Sequence, residues 1–269
     1  MTFAEAALLG VVQGLTEFLP VSSSAHLILA RAFFGESAGD PAFYLAFDVA
    51  CHVGTLGAVL LFFRADIAGL IQAVPFAARG PGDARARRLW LVGIGTVPAV
   101  LAGVLFNDGI QAMRTPLVAA IALAVGALLL FAIERLGVQG HGEERLSLGG
   151  ALAIGVAQAA AMIPGVSRSG ATIATGMALG MRRDAAARFT FVMSTPIIVA
   201  AAAKEALDLP GLALGRAEIA LIVVGVVTSG VVGYAAVKYF VRFLASHRLD
   251  VFAWYRLALA IVTFIWLAG

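Results

Sequence analysis

Charge is what this chain has least of. Only 13% of its 269 residues are Asp, Glu, Lys or Arg, while 61% are hydrophobic and the mean hydropathy is +0.96. Soluble domains carry about 25% charged residues, so too little polar side chain is present to clothe a water-facing surface, and soluble classes are excluded. Lysine is nearly absent: seventeen of the nineteen basic residues are Arg. They fall mainly between apolar runs, so the pI near 9.4 reflects membrane topology rather than a nucleic-acid patch. The single cysteine, Cys51, lies in an apolar run, has no partner for an internal disulfide and reads as packing. No Lys or Arg precedes Arg31, so a basic n-region is missing and a cleavable signal peptide is not expected.

What the chain has is length in oil. Apolar runs near 43–64, 87–106, 115–136, 185–206, 217–240 and 251–268 each reach the roughly 20 residues that cross a bilayer as helix. Two further apolar regions, about 3–34 and 148–181, are each cut near the middle by a polar seam into arms too short to cross. The first seam is Pro20-Val21-Ser22-Ser23-Ser24-Ala25-His26 and the second is Pro164-Gly165-Val166-Ser167-Arg168-Ser169-Gly170. Broken backbone at membrane depth is tolerated only where protein or a water-filled cavity satisfies it, so both regions are predicted to be re-entrant helical hairpins.

An offset of 145 residues pairs Gly10 with Gly155, Val11 with Val156, Gln13 with Gln158, Val21 with Val166, Ser22 with Ser167 and Ser24 with Ser169. Each half then holds one hairpin and three spans, and an odd number of crossings turns the second half upside down. The expected fold is therefore an all-α integral membrane protein with six transmembrane helices and two re-entrant hairpins. It forms a single domain, residues 1–269, with inverted-repeat halves of about 1–136 and 147–269, and hairpin tips meeting near the midplane. Orientation follows from charge. One side holds Arg64, Arg79, Arg85, Arg87, Arg88, Arg135, Arg145, Arg182, Arg183, Arg188, Lys238, Arg242, Arg248 and Arg256, and the other only Arg31, Arg114, Lys204 and Arg216. Fourteen against four places the Arg-rich side in the cytoplasm and the first hairpin's mouth outside. Small-residue faces such as Gly126 to Gly137 could pack within the bundle or between protomers, which leaves a homodimer open.

Arg168 belongs to neither side. A charge at bilayer depth costs roughly 2.5–3.5 kcal/mol on insertion scales and marks a pathway or an anionic ligand. Its donor fork suits phosphate or carboxylate, and Gly165, Ser167, Ser169, Gly170 and Thr172 offer hydroxyls and approachable N–H groups at a helix start. A plainer role, pairing with Glu17 to tie the hairpins together, is compatible with this. In the first seam, Gln13 and Glu17 share a helical face that ends at Pro20, and Ser23 and His26, three apart, share the next. Carboxylate, hydroxyl and imidazole at one tip, facing an Arg-bearing twin, fit phosphoester or phosphoanhydride hydrolysis with an activated serine. They equally fit binding of an anion for transport.

The segment Gln13-Gly-Leu-Thr-Glu17-Phe-Leu-Pro-Val-Ser-Ser-Ser-Ala-His26 resembles the (E/Q)xxxE block, with its following serines and histidine, of bacterial undecaprenyl-diphosphate phosphatases, the bacitracin-resistance family. Pro164-Gly-Val-Ser-Arg-Ser-Gly-Ala-Thr172 resembles that family's PGxSRSxxT block, and Phe47-Asp48, Gly54 and Arg183-Asp-Ala-Ala-Ala-Arg-Phe189 are similar to further family segments. The resemblance implies hydrolysis of undecaprenyl diphosphate to the monophosphate in the bacterial plasma membrane, recycling the carrier lipid for peptidoglycan synthesis and lowering bacitracin sensitivity. It implies catalytic roles for Glu17, Ser23, His26 and Arg168, and places Gln13, Ser22, Ser24, Gly165, Ser167, Ser169 and Thr172 around the diphosphate. It also implies a divalent cation, Mg²⁺ or Ca²⁺, on Glu17 and a polyprenyl diphosphate as partner, while the charge bias opens the site to the periplasmic face. Three departures stand out: Gln13 where Glu is common, Ala25 where Gly is common, and His52 where Gln is expected. His52, four residues after Asp48, could bind metal with it or hydrogen-bond within the bundle, and the second reading is favoured. Serine, histidine and activated water all remain candidate nucleophiles. The other class of membrane lipid phosphatases, with KxxxxxxRP, PSGH and SRxxxxxHxxxD blocks, is rejected, because no basic residue precedes Ser24-Ala25-His26 at that spacing and the next histidine after Arg168 is His247. A transporter or flippase for an anionic or prenyl-phosphate substrate is the alternative from a different class.

Overall fold

The computed structural model describes residues 1–34, 41–137, 140–208 and 214–269. Among them the chain is helical with no strand, and one isolated bridge joins His141 to Met181. Six helices are long and apolar enough to span a bilayer: α3 (Pro41–Phe62), α5 (Arg87–Leu105), α7 (Pro116–Leu136), α10 (Arg183–Asp208), α11 (Arg216–Leu244) and α12 (Asp250–Ala268). All six coincide with the apolar runs. The two seam regions form α1 (Phe3–Thr16) with α2 (Ser23–Phe34), and α8 (Leu148–Ala160) with α9 (Arg168–Ala178). At about 1.5 Å per residue these arms are too short to cross a hydrocarbon core of about 30 Å. The short helices α4 (Arg64–Ala73) and α6 (Asn107–Ala112) lie in connections.

Apolar side chains cover the outside as well as the core, and the interior also holds polar groups. Val104, Leu129, Val231 and Ile265 point outward, while Gln13, Glu17, Asp48, Thr172, Ser229 and Arg256 are buried. That arrangement suits a hydrocarbon solvent and would fail in water. The hairpins are held by close helix approach. α1 packs on α11, and α8 packs on α5. A Cβ on Gly10 or Gly14 would run into the backbone of α11, and one on Gly155 into the backbone of Gly95 in α5. Glycine at these contacts lets backbones meet where no hydrophobic drive separates helix from lipid. Gly126 also packs inside the bundle, where a Cβ would strike the Arg256 guanidinium. Cys51 is buried and free, against Gly225 of α11, which is the packing role expected of it.

Arg256 corrects the charge count. It lies within α12 and is fully buried, not in a loop at the Arg-rich end, so the asymmetry becomes thirteen against four. At that end Asp66 of α4 binds Arg88 and Arg188, and Glu134 of α7 binds Arg183 and Arg248, tying spans together.

Candidate active site

Both seams turn on a strained serine. Ser22 (φ 72°) and Ser167 (φ 73°) are the non-glycine residues with positive φ among the described residues, a conformation that costs an L-residue about 1–2 kcal/mol. Each starts a helix. Ser167 Oγ accepts from the Gly170 N–H at 3.1 Å and lies 3.2 Å from Ser169 Oγ. Ser22 Oγ caps the Ala25 N–H at 3.4 Å and lies 3.2 Å from Ser24 Oγ. Strain of this kind persists only where surroundings impose it, and it concentrates at functional sites.

The surroundings include Arg256. Its Nη1 donates to the carbonyls of Pro20 and Val166, both at 3.1 Å, and its Nη2 to those of Gly165 and Ala122, both at 3.0 Å. One guanidinium thereby satisfies backbone oxygens from both seams, which otherwise would lie buried and unpaired. The seams also bond directly: the Gly165 N–H donates to Ser24 Oγ at 3.3 Å, and Ser169 Oγ to the Leu19 carbonyl at 3.0 Å.

Glu17 is the hub. Its carboxylate is 4% exposed, because the end of α1 is roofed by the second seam. Oε2 accepts from Ser23 Oγ at 2.7 Å and from Gln13 Nε2 at 2.9 Å, and His52 Nε2 stands 3.4 Å away; Oε1 is paired with Arg168 Nη2. Ser23, Glu17 and Arg168 are thus brought together as the sequence suggested, and the tying role of Arg168 holds alongside. Together with Ser22, Ser24, Ser167, Asp48, His52 and Gln158 they line a cavity of about 290 Å³. Its remaining walls, including Leu45, Gln111, Arg114 and Ala202, lie at the Arg-poor ends of the spans and their connections, so access is from that side.

Three residues sit differently from expectation. His26 does not face Ser23. Its Nδ1 is 2.7 Å from the Ser22 carbonyl, and since a carbonyl only accepts, Nδ1 carries the proton; Nε2, 2.7 Å from the Tyr255 hydroxyl, then accepts. The ring stacks on Tyr255 and lines an apolar groove of about 460 Å³ formed by Leu8, Leu9, Val12, Phe33, Leu259 and Trp266 among others. Thr172 is fully buried and returns its hydroxyl to the Arg168 carbonyl at 2.7 Å, and Ser169 bridges the seams instead of facing the cavity. Asp48 and His52 do not form a metal pair. His52 Nδ1 donates to the Asp48 backbone carbonyl at 2.8 Å, the hydrogen bond within the bundle that was favoured, while the Asp48 carboxylate binds Arg31 and Arg114.

No cluster of three His, Cys, Asp or Glu side chains stands ready for a metal among the described residues. A cation held mainly by substrate phosphates needs only one or two carboxylates. Beside Glu17, the carboxamide oxygens of Gln13 and Gln158 are buried without partners among the described residues, oxygen ligands of the kind such an ion takes. Sequence reasoning missed Arg31, Arg114, Gln158, Tyr255 and Arg256.

The profile of the bacitracin resistance protein BacA family matches residues 6–262. The undecaprenyl-diphosphatase of Rubrobacter xylanophilus is 45% identical over 260 residues, 95% of each chain, and that of Desulforudis audaxviator 42% over 264 residues, 97% of this chain and 96% of its own. The Aliivibrio salmonicida undecaprenyl-diphosphatase is 40% identical over 272 residues, covering this chain entirely and 99% of its own. With motifs, spans and near-complete coverage in agreement, the chain belongs to the BacA bacitracin-resistance family.

Proposed function

We propose that this protein hydrolyses undecaprenyl diphosphate to undecaprenyl phosphate and inorganic phosphate, recycling the carrier lipid for cell-wall synthesis. The observation that carries the reading is the 2.7 Å hydrogen bond from Ser23 Oγ to Glu17 Oε2, with Arg168 on the opposite carboxylate oxygen. A nucleophile bonded to its base, beside a guanidinium, is what phosphoryl transfer requires.

Glu17 takes the Ser23 proton as Oγ attacks the terminal phosphorus. The bond to the bridging oxygen breaks, Glu17 passes the proton to that oxygen as prenyl monophosphate departs, and a phosphoserine remains. Water, deprotonated by Glu17, then attacks the same phosphorus, the bond to Ser23 Oγ breaks, and Glu17 returns the proton to Oγ, releasing phosphate and restoring Ser23. The Arg168 fork, bonded among the described residues to Glu17 alone, neutralises the equatorial oxygens. A divalent cation, Mg²⁺ or Ca²⁺, would be held by Glu17 with the Gln13 and Gln158 carboxamide oxygens and would supply further charge neutralisation. His26 serves by fixing the Ser22 turn. The groove it lines gives the prenyl chain an apolar path beside the site.

The protein sits in the bacterial plasma membrane with the cavity open to the periplasm, a reading supported by the thirteen-to-four asymmetry of basic residues. Its halves are inverted repeats, supported by the shared positive φ of Ser22 and Ser167 and by the reciprocal packing of α1 on α11 and α8 on α5. Phosphate release from undecaprenyl diphosphate by the purified protein in detergent, with and without EDTA, tests the function. Hydrolysis needs no sealed compartment, whereas a transporter would act only in vesicles and release no phosphate.

A further inference from the structure

Two of the four basic residues on the Arg-poor side converge on one acid. Arg31 Nη1 of α2 donates to Asp48 Oδ2 at 2.9 Å with its Nη2 on Oδ1, and Arg114 Nη2, from the turn between α6 and α7, donates to Oδ2 at 2.7 Å. Asp48 is buried, at 3% exposure. A buried carboxylate needs one cation for neutrality, and a second brings its own desolvation cost, so the surplus charge calls for another partner.

The two arginines are not equivalent. Arg31 has further anchors: it donates to the Tyr44 carbonyl at 3.4 Å and stacks on the Tyr44 ring. The Arg114 side chain makes one bond among the described residues, to Asp48, and keeps 28% of its surface exposed. Most of its fork is available. Asp48 and Arg114 line the same cavity as Glu17, Ser23 and Arg168. Depth follows from α3: Asp48 precedes His52 by about one helical turn, roughly 6 Å along the axis, and His52 Nε2 is 3.4 Å from the carboxylate that holds Ser23. Arg114 therefore stands about one turn nearer the mouth than the hydrolytic group.

We propose that Arg114 is a specificity-determining contact that binds the phosphate remaining on the lipid, while Arg168 and the seams hold the phosphate that leaves. Asp48 keeps the guanidinium at the mouth, and the surplus charge selects a ligand with two adjacent phosphoryl groups over one. The inference rests on the diphosphatase reading.

The test compares methylenediphosphonate with inorganic phosphate as ligands of the purified protein, by calorimetry and by inhibition of phosphate release from farnesyl diphosphate. A lost charge-assisted contact corresponds to about tenfold or more in affinity. For Arg114→Gln the diphosphonate constant and the farnesyl diphosphate KM should each rise about tenfold, with kcat falling less than about threefold and the phosphate constant within about twofold of wild type. Equal weakening of both ligands, or weakening of neither, overturns the proposal, since a residue that only balances Asp48 would not separate them. If Arg114→Gln is not monodisperse, Arg114→Lys takes its place: it keeps the charge without the fork, and an unchanged ratio of the two constants overturns the proposal equally. Wild type that binds diphosphonate but releases no phosphate would sink the diphosphatase reading instead, with the calorimetric ratio still deciding the role of Arg114.

Discussion

Ser22 and Ser167, 145 positions apart, share a positive φ, 72° and 73°, and each places its hydroxyl 3.2 Å from the serine two residues on. Replacement separates backbone from hydroxyl. Glycine occupies positive φ freely, whereas a β-branched residue there is an outlier. Ser167→Gly should retain at least about tenfold more turnover than Ser167→Val, and the same order should hold at Ser22, because a seam displaced by about 1 Å costs up to about a hundredfold in rate. Equal activities for the Gly and Val forms would show that the backbone conformation is not what matters.

Arg256 donates to Pro20 of one seam and to Gly165 and Val166 of the other. Arg256→Met leaves buried carbonyls unpaired at about 1–3 kcal/mol each, and both hairpin tips lose their shared anchor. Phosphate release should fall about a hundredfold or more, with a lowered Tm, and Arg256→Lys, which lacks the fork, should recover only part. Wild-type rate and Tm in Arg256→Met would remove Arg256 from the account.

Gly155 meets the backbone of Gly95 with no room for a Cβ, while at Gly57 nothing lies within reach. Overpacking costs about 1–3 kcal/mol, or about 5 °C in Tm for a domain of this size. Gly155→Ala should therefore melt about 5 °C or more below Gly57→Ala. Matching melting curves would mean that the α8–α5 contact yields without cost.

Burial pushes the Asp66 carboxyl up, but hydrogen bonds and charge from Arg188 and Arg88 outweigh it and hold the group below the usual carboxylate range. With a folded pKa below the unfolded one, the folded state binds fewer protons. The contribution to stability is present above the unfolded value, about 4, and is lost as pH falls through the folded value. Between pH 6 and pH 3 the Tm of wild type should drop further than that of Asp66→Asn. Parallel curves would show that the Asp66 pairs carry no such linkage.

Long-range order was legible in the sequence to different depths. The six spans and the two broken pairs follow from hydropathy, because lipid imposes length and apolarity on anything that crosses it. Glu17, Ser23 and Arg168 could be named from residue types at a break, and they meet in one cavity. His26 could not be placed by helical spacing, since the left-handed Ser22 aims the ring at Tyr255, 229 positions away. Arg256 carried the same signal as Arg168, a charge within an apolar run, yet proximity to basic loop residues hid it. Arg31 and Arg114 were visible only as exceptions to the charge bias, and their convergence on Asp48 depends on tertiary packing that no local pattern encodes.

In the proposed mechanism Glu17 activates Ser23 against a diphosphate steadied by Arg168. Single-turnover phosphate release from undecaprenyl diphosphate by purified Ser23→Ala, beside wild type, tests it most directly. Removal of an activated nucleophile should cost at least about a thousandfold in rate, in a protein that still binds methylenediphosphonate with wild-type affinity. Near wild-type release by Ser23→Ala would rule the serine out and leave water or His52, 3.4 Å from Glu17, as the nucleophile.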